Sequence, residues 1–272
     1  MARRFLRVDV LDLLPRLRAE LTALLGSLSR QEWSAPTSCP GWTVHDIAAH
    51  LLGVELGNVS VRRDSWQLGP AAGQDFGGWL DGFNRQWVQA AERISPALLT
   101  DLIGQCSRQF EELVATLDLA AMGGSVGWAT GSEPAPVWLD VAREYMERFV
   151  HQSQIRDATG RPALPRELAE PVLRTAVHCL PRALASTRRP PGTVLAFIVD
   201  EDPATTWFLT QGRENWELGR SAPDGAPACE VRTTLPGAIR LFVRDPGAPA
   251  LVTRGDGELA AAISRAKAIL GS

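Results

Sequence analysis

VWLDVAREYMERFVHQSQIRDATGRP, residues 137–162, decides the fold. Neither proline nor glycine interrupts Val137 to Ala158, so this run reads as one long helix. Trp138, Ala142, Tyr145, Met146 and Phe149 form its apolar stripe at about 100° per residue. Gly160-Arg161-Pro162 then stops it, because glycine takes the left-handed cap and proline cannot continue a helix. The chain has a different character on either side of that stop.

Upstream, the sequence reads as helices joined by Gly/Pro-rich loops. Leucines at 11, 13, 14, 17, 21, 24, 25 and 28 recur at nearly helical spacing, and Pro15 suits the first turn of a helix starting near Leu14. After the loop at 34–42, Thr43 is a reasonable N-cap for a helix to about Val61, with Val44, Ile47, Ala48, Leu51 and Leu52 as its buried stripe. Further helices are expected over Phe76–Ile94 and Pro96–Leu119, and MGGSVGWATGSEPAP (122–136) reads as a flexible connection. Helices of this length suggest an up-and-down bundle.

Downstream, one more helix (Glu167–Ala185) leads into the breaker RRPPG at 188–192. Short β-type runs follow at Val194–Val199, Thr205–Thr210, Trp216–Leu218 and Cys229–Thr234, separated by turn signals. Helices over Pro236–Phe242 and Gly257–Leu270 flank a strand at Leu251–Thr253. The fold class expected is therefore α+β: a helical bundle over 1–165 and a small α+β domain over 166–272.

Composition narrows the function. The chain has 272 residues, 45% hydrophobic and 22% charged, which suits one large or two modest globular domains. No run of about 18 apolar residues would span a membrane. The start MARRFLRVDVLD is basic, but Asp9 and Asp12 interrupt its apolar stretch, so it does not read as a secretory signal. A net charge of −3 gives no general attraction to nucleic acid or acidic membranes. Cys39, Cys106, Cys179 and Cys229 lack CxxC spacing, so neither a disulfide framework nor a thiolate zinc site is indicated. A cytoplasmic protein without nucleic-acid or membrane partners is expected.

The histidines are His45, His50, His151 and His178. His151 has a partner at chelating distance along its helix: Glu147, one turn earlier, on the same face. A carboxylate and an imidazole at this spacing can converge on one cation, with His50 as the natural third ligand and Glu144 as a rival or supporting group. A helical projection leaves a second reading open. Glu147 and His151 lie roughly opposite the apolar stripe, and His50 lies about 120° from its own, so these could equally be ordinary solvated faces. Glu55, inside an apolar stripe, would either bond a ligand histidine or fill a core niche. Asp46 reads as a helix-start carboxylate, Cys39 as a small buried hydrophobe, and His178-Cys179 as a pair on different helix faces.

SCPGWTVHDIAAHL (38–51) and EYMERFVHQSQIRDATGRP (144–162) together resemble the mycothiol-dependent maleylpyruvate isomerase family, within the DinB-like group of metal-binding helical bundles. The shared features are a P-G-W-[ST]-V-x-D helix start leading to a histidine, then E-x3-H with an I-R-x-A-x-G-R-P-like end. The resemblance covers about 160 residues, and the α+β half more vaguely. It implies metal ligands at His50, Glu147 and His151. The family usually has an aspartate where this chain has Gln154, an amide that can hydrogen-bond but brings no charge. The family's functional arginine is best matched by Arg244 in LFVRDPG.

The resemblance also implies chemistry. Two imidazoles and one carboxylate leave a divalent cation with an open position, best suited to catalytic zinc, although the ligand types also admit iron, manganese or nickel. A thiol there would be deprotonated and could attack an electrophilic small molecule, giving isomerisation or S-transfer. The implied thiol is mycothiol, the low-molecular-weight thiol of actinobacteria. Arginine at 27 of the 28 basic positions, Lys267 being the exception, looks like the codon bias of such GC-rich genomes. The α+β domain would cover the cleft and offer arginine to an acidic substrate. Two other functions are compatible with the sequence: a hydrolase using metal-bound water, and a non-catalytic small-molecule binding protein.

Overall fold

The computed structural model describes residues 5–222 and 224–269. These form two compact units, a helical one from residues 9–119 and 143–168, and a mixed one from 5–8, 120–142 and 169–269. Among the described residues the chain crosses from one to the other at 8/9, at 119/120, within its longest helix at 142/143, and at 168/169. The fold class is that expected, helices followed by a mixed α+β half.

In the helical unit, α1 (Leu14–Ser27) follows a 3-10 turn at Leu11–Leu13 and carries Pro15 in its first turn, where no helical partner for an N–H is lost. Next comes a short helix missed in the sequence, α2 (Arg30–Trp33), closed by a Ser29/Glu32 capping box. Helix α3 (Val44–Arg62) starts at Thr43, whose hydroxyl accepts from Asp46 N–H while the Asp46 carboxylate accepts from Thr43 N–H. Helices α4 (Phe76–Ala91) and α5 (Pro96–Ala115) are capped by Asp75 and Ser95. Packing of α3 against α4 and α5, and of α1 against α5, surrounds a core that includes Leu21, Leu25, Ile47, Leu51, Leu99 and Ile103.

The stretch 122–136 is not the flexible connection expected. It holds a short helix, α6 (Gly127–Thr130), with Trp128, Ala129 and Thr130 buried, and Gly123 N–H donates to Ala135 O at 2.8 Å. The buried indole ties the loop down despite its glycines. Helix α7 (Val137–Ala158) has the bounds expected. The next helix is broken into α8 (Arg166–Ala176), a 3-10 turn at Val177–Cys179 and α9 (Leu180–Ala183). Pro181 has no N–H for the Val177 carbonyl, so the regular ladder ends there.

The sheet has five strands in the order β3-β2-β1-β4-β5: β1 Val194–Val199, β2 Thr206–Gln211, β3 Trp216–Gly219, β4 Cys229–Thr233 and β5 Val252–Gly255. Only β1 and β4 run parallel, with Phe197 opposite Val231; the other neighbours are antiparallel. Alternation along β2 buries Trp207, Leu209 and Gln211. Helix α10 (Leu235–Phe242) adds Phe242 to this core, its ring 5.7 Å from that of Phe197. Helix α11 (Gly257–Ser264) ends earlier than expected, and Leu270 lies outside the described residues. No helix among the described residues is long and apolar enough to cross a membrane.

Candidate functional site

The site begins in the loop before α3. Trp42 N–H donates to Cys39 O across Pro40-Gly41, and Gly41 has φ +78, a left-handed position that glycine takes without strain. Thr37 closes the loop, its N–H and hydroxyl both donating to Trp42 O. This aims the Trp42 ring at the first candidate ligand, whose imidazole lies 5.1 Å away: His50 on α3.

One side chain of α3 meets two neighbouring side chains of α7 here. The His50 and His151 rings are 4.8 Å apart, edge to face, and His151 Nε2 lies 3.6 Å from Glu147 Oε2. His50 is only 8% exposed, and the side chains of His151 and Glu147 are 13% and 20% exposed. The solvated-face reading therefore fails, because an amphipathic projection assumes that the second face of a helix meets water, and here it does not.

Burial, with His151 alongside, lowers the His50 pKa to about 3, so the imidazole is neutral with a lone pair available. Burial, with Glu144 nearby, holds the Glu147 carboxyl above its ordinary value despite the opposing pull of His151, Arg143 and Arg148. The donor chemistry fits a divalent cation: two imidazoles and a crowded carboxylate that a positive charge would relieve. Among the described residues, however, no group of three or more His, Cys, Asp or Glu side chains is disposed to hold a metal ion. His151 neighbours both of the others, the His50 ring on one side and the Glu147 carboxylate on another.

The neighbouring charges have other employment. Glu144 is only 2% exposed and is held by Arg143, Asn58 and Arg148, which makes it part of an ion-pair cluster rather than a rival ligand. Glu55 bonds no histidine; it takes Arg148 Nε and Nη2 at 2.8 and 2.7 Å and the Ser107 hydroxyl at 2.9 Å. Arg148 also lies 4.2 Å over the Phe110 ring. His45 meets Ile94 O, and His178 accepts from Leu6 N–H while its Nδ1 meets Thr175 O, so both serve structure.

Two participants have contacts that the sequence did not suggest. The Gln154 amide oxygen lies 2.8 Å from His151 Nδ1, and Cys39 Sγ donates to the same oxygen at 3.3 Å. Cys39 packs partly buried against the core of the helical unit, as a small hydrophobe would, and also makes a polar contact to the site. Arg244 belongs to the mixed unit, where it is exposed, has φ +58 and donates to Ser264 O at 3.3 Å. It lines an open pocket of about 360 Å³ with Asp245, Pro249 and Leu251.

A helical unit carrying a largely buried His–His–Glu cluster, joined to a mixed-sheet unit of similar size, defines a class of two-part chains with a polar site among the helices. Comparison with known proteins makes this specific. The family described as the mycothiol maleylpyruvate isomerase N-terminal domain matches residues 14–156, and this chain belongs to it. Uncharacterized proteins of Mycobacterium tuberculosis, from strains CDC 1551 and H37Rv, are each 34% identical over 159 residues, 55% of this chain. The match spans 58% of the length of those relatives. In fold, the chain is similar to the crystal structure of the mycothiol-dependent maleylpyruvate isomerase, with TM-score 0.56, 15% identity and coverage of 89% and 90% of the two chains. A histidine-to-alanine mutant of that enzyme gives TM-score 0.55 at 16% identity, with the same coverage. At these identities the likeness is one of fold.

Proposed function

We propose that this chain is a metal- and thiol-dependent isomerase or S-transferase acting on an electrophilic small molecule in the cytoplasm, with mycothiol as the thiol. The meeting of His50, Glu147 and His151 in the helical unit carries this reading. Those three residues would hold a divalent cation, best matched by zinc. When bound, such a cation supplies positive charge that favours a thiolate over a thiol.

The chain's own residues prepare the site. Trp42 covers the His50 ring, and burial keeps that imidazole neutral. Gln154 orients His151 through Nδ1. Arg244 is proposed as the group that meets an acidic substrate, because an exposed guanidinium pairs with carboxylates in two-point geometry. In the reaction, a thiolate adds to one carbon of a polarised double bond. Rotation and expulsion of the thiol then complete isomerisation, whereas release of the adduct completes transfer.

Metal analysis of the purified protein should find about one zinc per chain. His50→Ala, Glu147→Ala and His151→Ala should each lose the metal together with thiol-dependent turnover. Full activity in chelator-treated, metal-free protein overturns the proposal. Turnover without any thiol points instead to a hydrolase using metal-bound water, and ligand capture without turnover points to a binding protein.

A further inference from the structure

We propose that Gln154, anchored by the Cys39 thiol, is a positioning residue that fixes the His151 imidazole as its Nδ1–H tautomer and leaves Nε2 as the lone-pair nitrogen facing Glu147. The argument runs through one oxygen. Gln154 Oε1 lies 2.8 Å from His151 Nδ1 and also takes the Cys39 S–H at 3.3 Å. An amide oxygen has two lone pairs and can accept both hydrogens, whereas its NH₂ end could accept neither. Cys39 therefore favours the oxygen end, because its S–H has an acceptor there, whereas its sulfur is only a weak acceptor for an NH₂ group. Cys39 sits on the Pro40-Gly41 turn, which is fastened through Thr37 and Trp42, so the anchor is rigid.

On the other side of the ring, His151 Nε2 is 3.6 Å from the Glu147 carboxylate, beyond hydrogen-bond length, so no hydrogen bond there competes with the one at Nδ1. A neutral acceptor at Nδ1 also differs in kind from a carboxylate. It fixes the orientation of the ring without adding negative charge to the imidazole. Only the consequence for metal binding rests on the function proposed above; the tautomer assignment does not.

The test is long-range ¹H–¹⁵N NMR of the full chain labelled at histidine, recorded without added metal, beside zinc affinity measured by chelator competition. Wild-type His151 should show the Nδ1–H tautomer. Gln154→Leu should lose that preference and weaken zinc binding roughly 10–100-fold, with the other three histidine signals unmoved. Gln154→Glu should keep the tautomer. Cys39→Ala should partly randomise it, and Cys39→Ser, which retains a hydroxyl donor, should restore it. An Nε2–H tautomer in the wild type, or a tautomer indifferent to Gln154→Leu, overturns the inference even if zinc binds. The expected tautomer pattern in a protein that binds no zinc leaves the inference standing and removes the metal-dependent function.

Discussion

The two units both hold arginines against carboxylates near the surface, but among the described residues only the helical unit also buries such a group. In the helical unit, Arg148, Glu55 and Glu144 are 7%, 2% and 2% exposed, and the cluster lies along the same turns of α7 that carry Glu147 and His151. In the mixed unit the core is apolar, with Phe197, Trp207, Leu209 and Phe242, and the ion pairs lie outside it. Arg189 there holds Asp256 and the exposed Glu258, and Arg232 bridges Glu201 and Glu230. The helical unit takes on the desolvation of buried charge where its candidate site lies, and the mixed unit avoids it. Sensitivity to mutation should follow that division.

Arg148→Met should have the largest effect. It leaves Glu55 and Glu144 buried with fewer partners, and removing one side of a buried pair costs about 3–5 kcal/mol. Urea unfolding should show that loss, and the double variant Arg148→Met/Glu55→Leu should recover a substantial part of it. A loss below about 1 kcal/mol for the single change, the range of an exposed pair, would erase the contrast between the units.

In the mixed unit the intolerant positions should instead be backbone positions. Gly255 closes β5 at φ +92, and a Cβ there would stand 2.2 Å from the Ala228 carbonyl oxygen, which accepts Asp256 N–H. Gly255→Ala should destabilise this unit by about 1–3 kcal/mol, the cost of a side chain in strained left-handed backbone. Thermal unfolding measures it, and an unchanged melting temperature would show that the β4–β5 edge yields.

This contrast was only partly visible in the sequence. Element starts and stops could be read because caps are local: Pro15 and the Thr43/Asp46 box begin helices, and Gly160-Arg161-Pro162 ends one, each acting within a few residues. Strand β1 was equally plain as an uninterrupted apolar run between breakers. Burial of the polar face of α7 could not be read from periodicity. Gln152 is 0% exposed, and Arg143, Glu147 and His151 are only partly exposed, so the polar side of the helix is largely withdrawn from water. A clue was present in Glu55, a charge inside an apolar stripe, which implies a buried partner. The Cys39–Gln154 contact joins residues 115 apart, and no local spacing encodes it.

The smallest effect is expected at Asp256, and it tests the contrast from the other side. Arg189 donates to both its oxygens, at 2.7 and 3.0 Å, and this pairing lowers the carboxyl from 3.8 to about 2. A carboxyl depressed in the folded state stabilises it above the unfolded value. That contribution is lost as pH falls from about 3.8 toward about 2. Asp256 also caps α11, accepting from Glu258 and Leu259 N–H, a role asparagine can fill. Asp256→Asn should therefore cost less than about 1 kcal/mol at neutral pH. It should also flatten the acid side of the stability curve within that window, read from urea midpoints across pH. A neutral-pH loss as large as that of Arg148→Met would mean that exposed pairs here matter as much as buried ones. Burial would then not be what separates the two units.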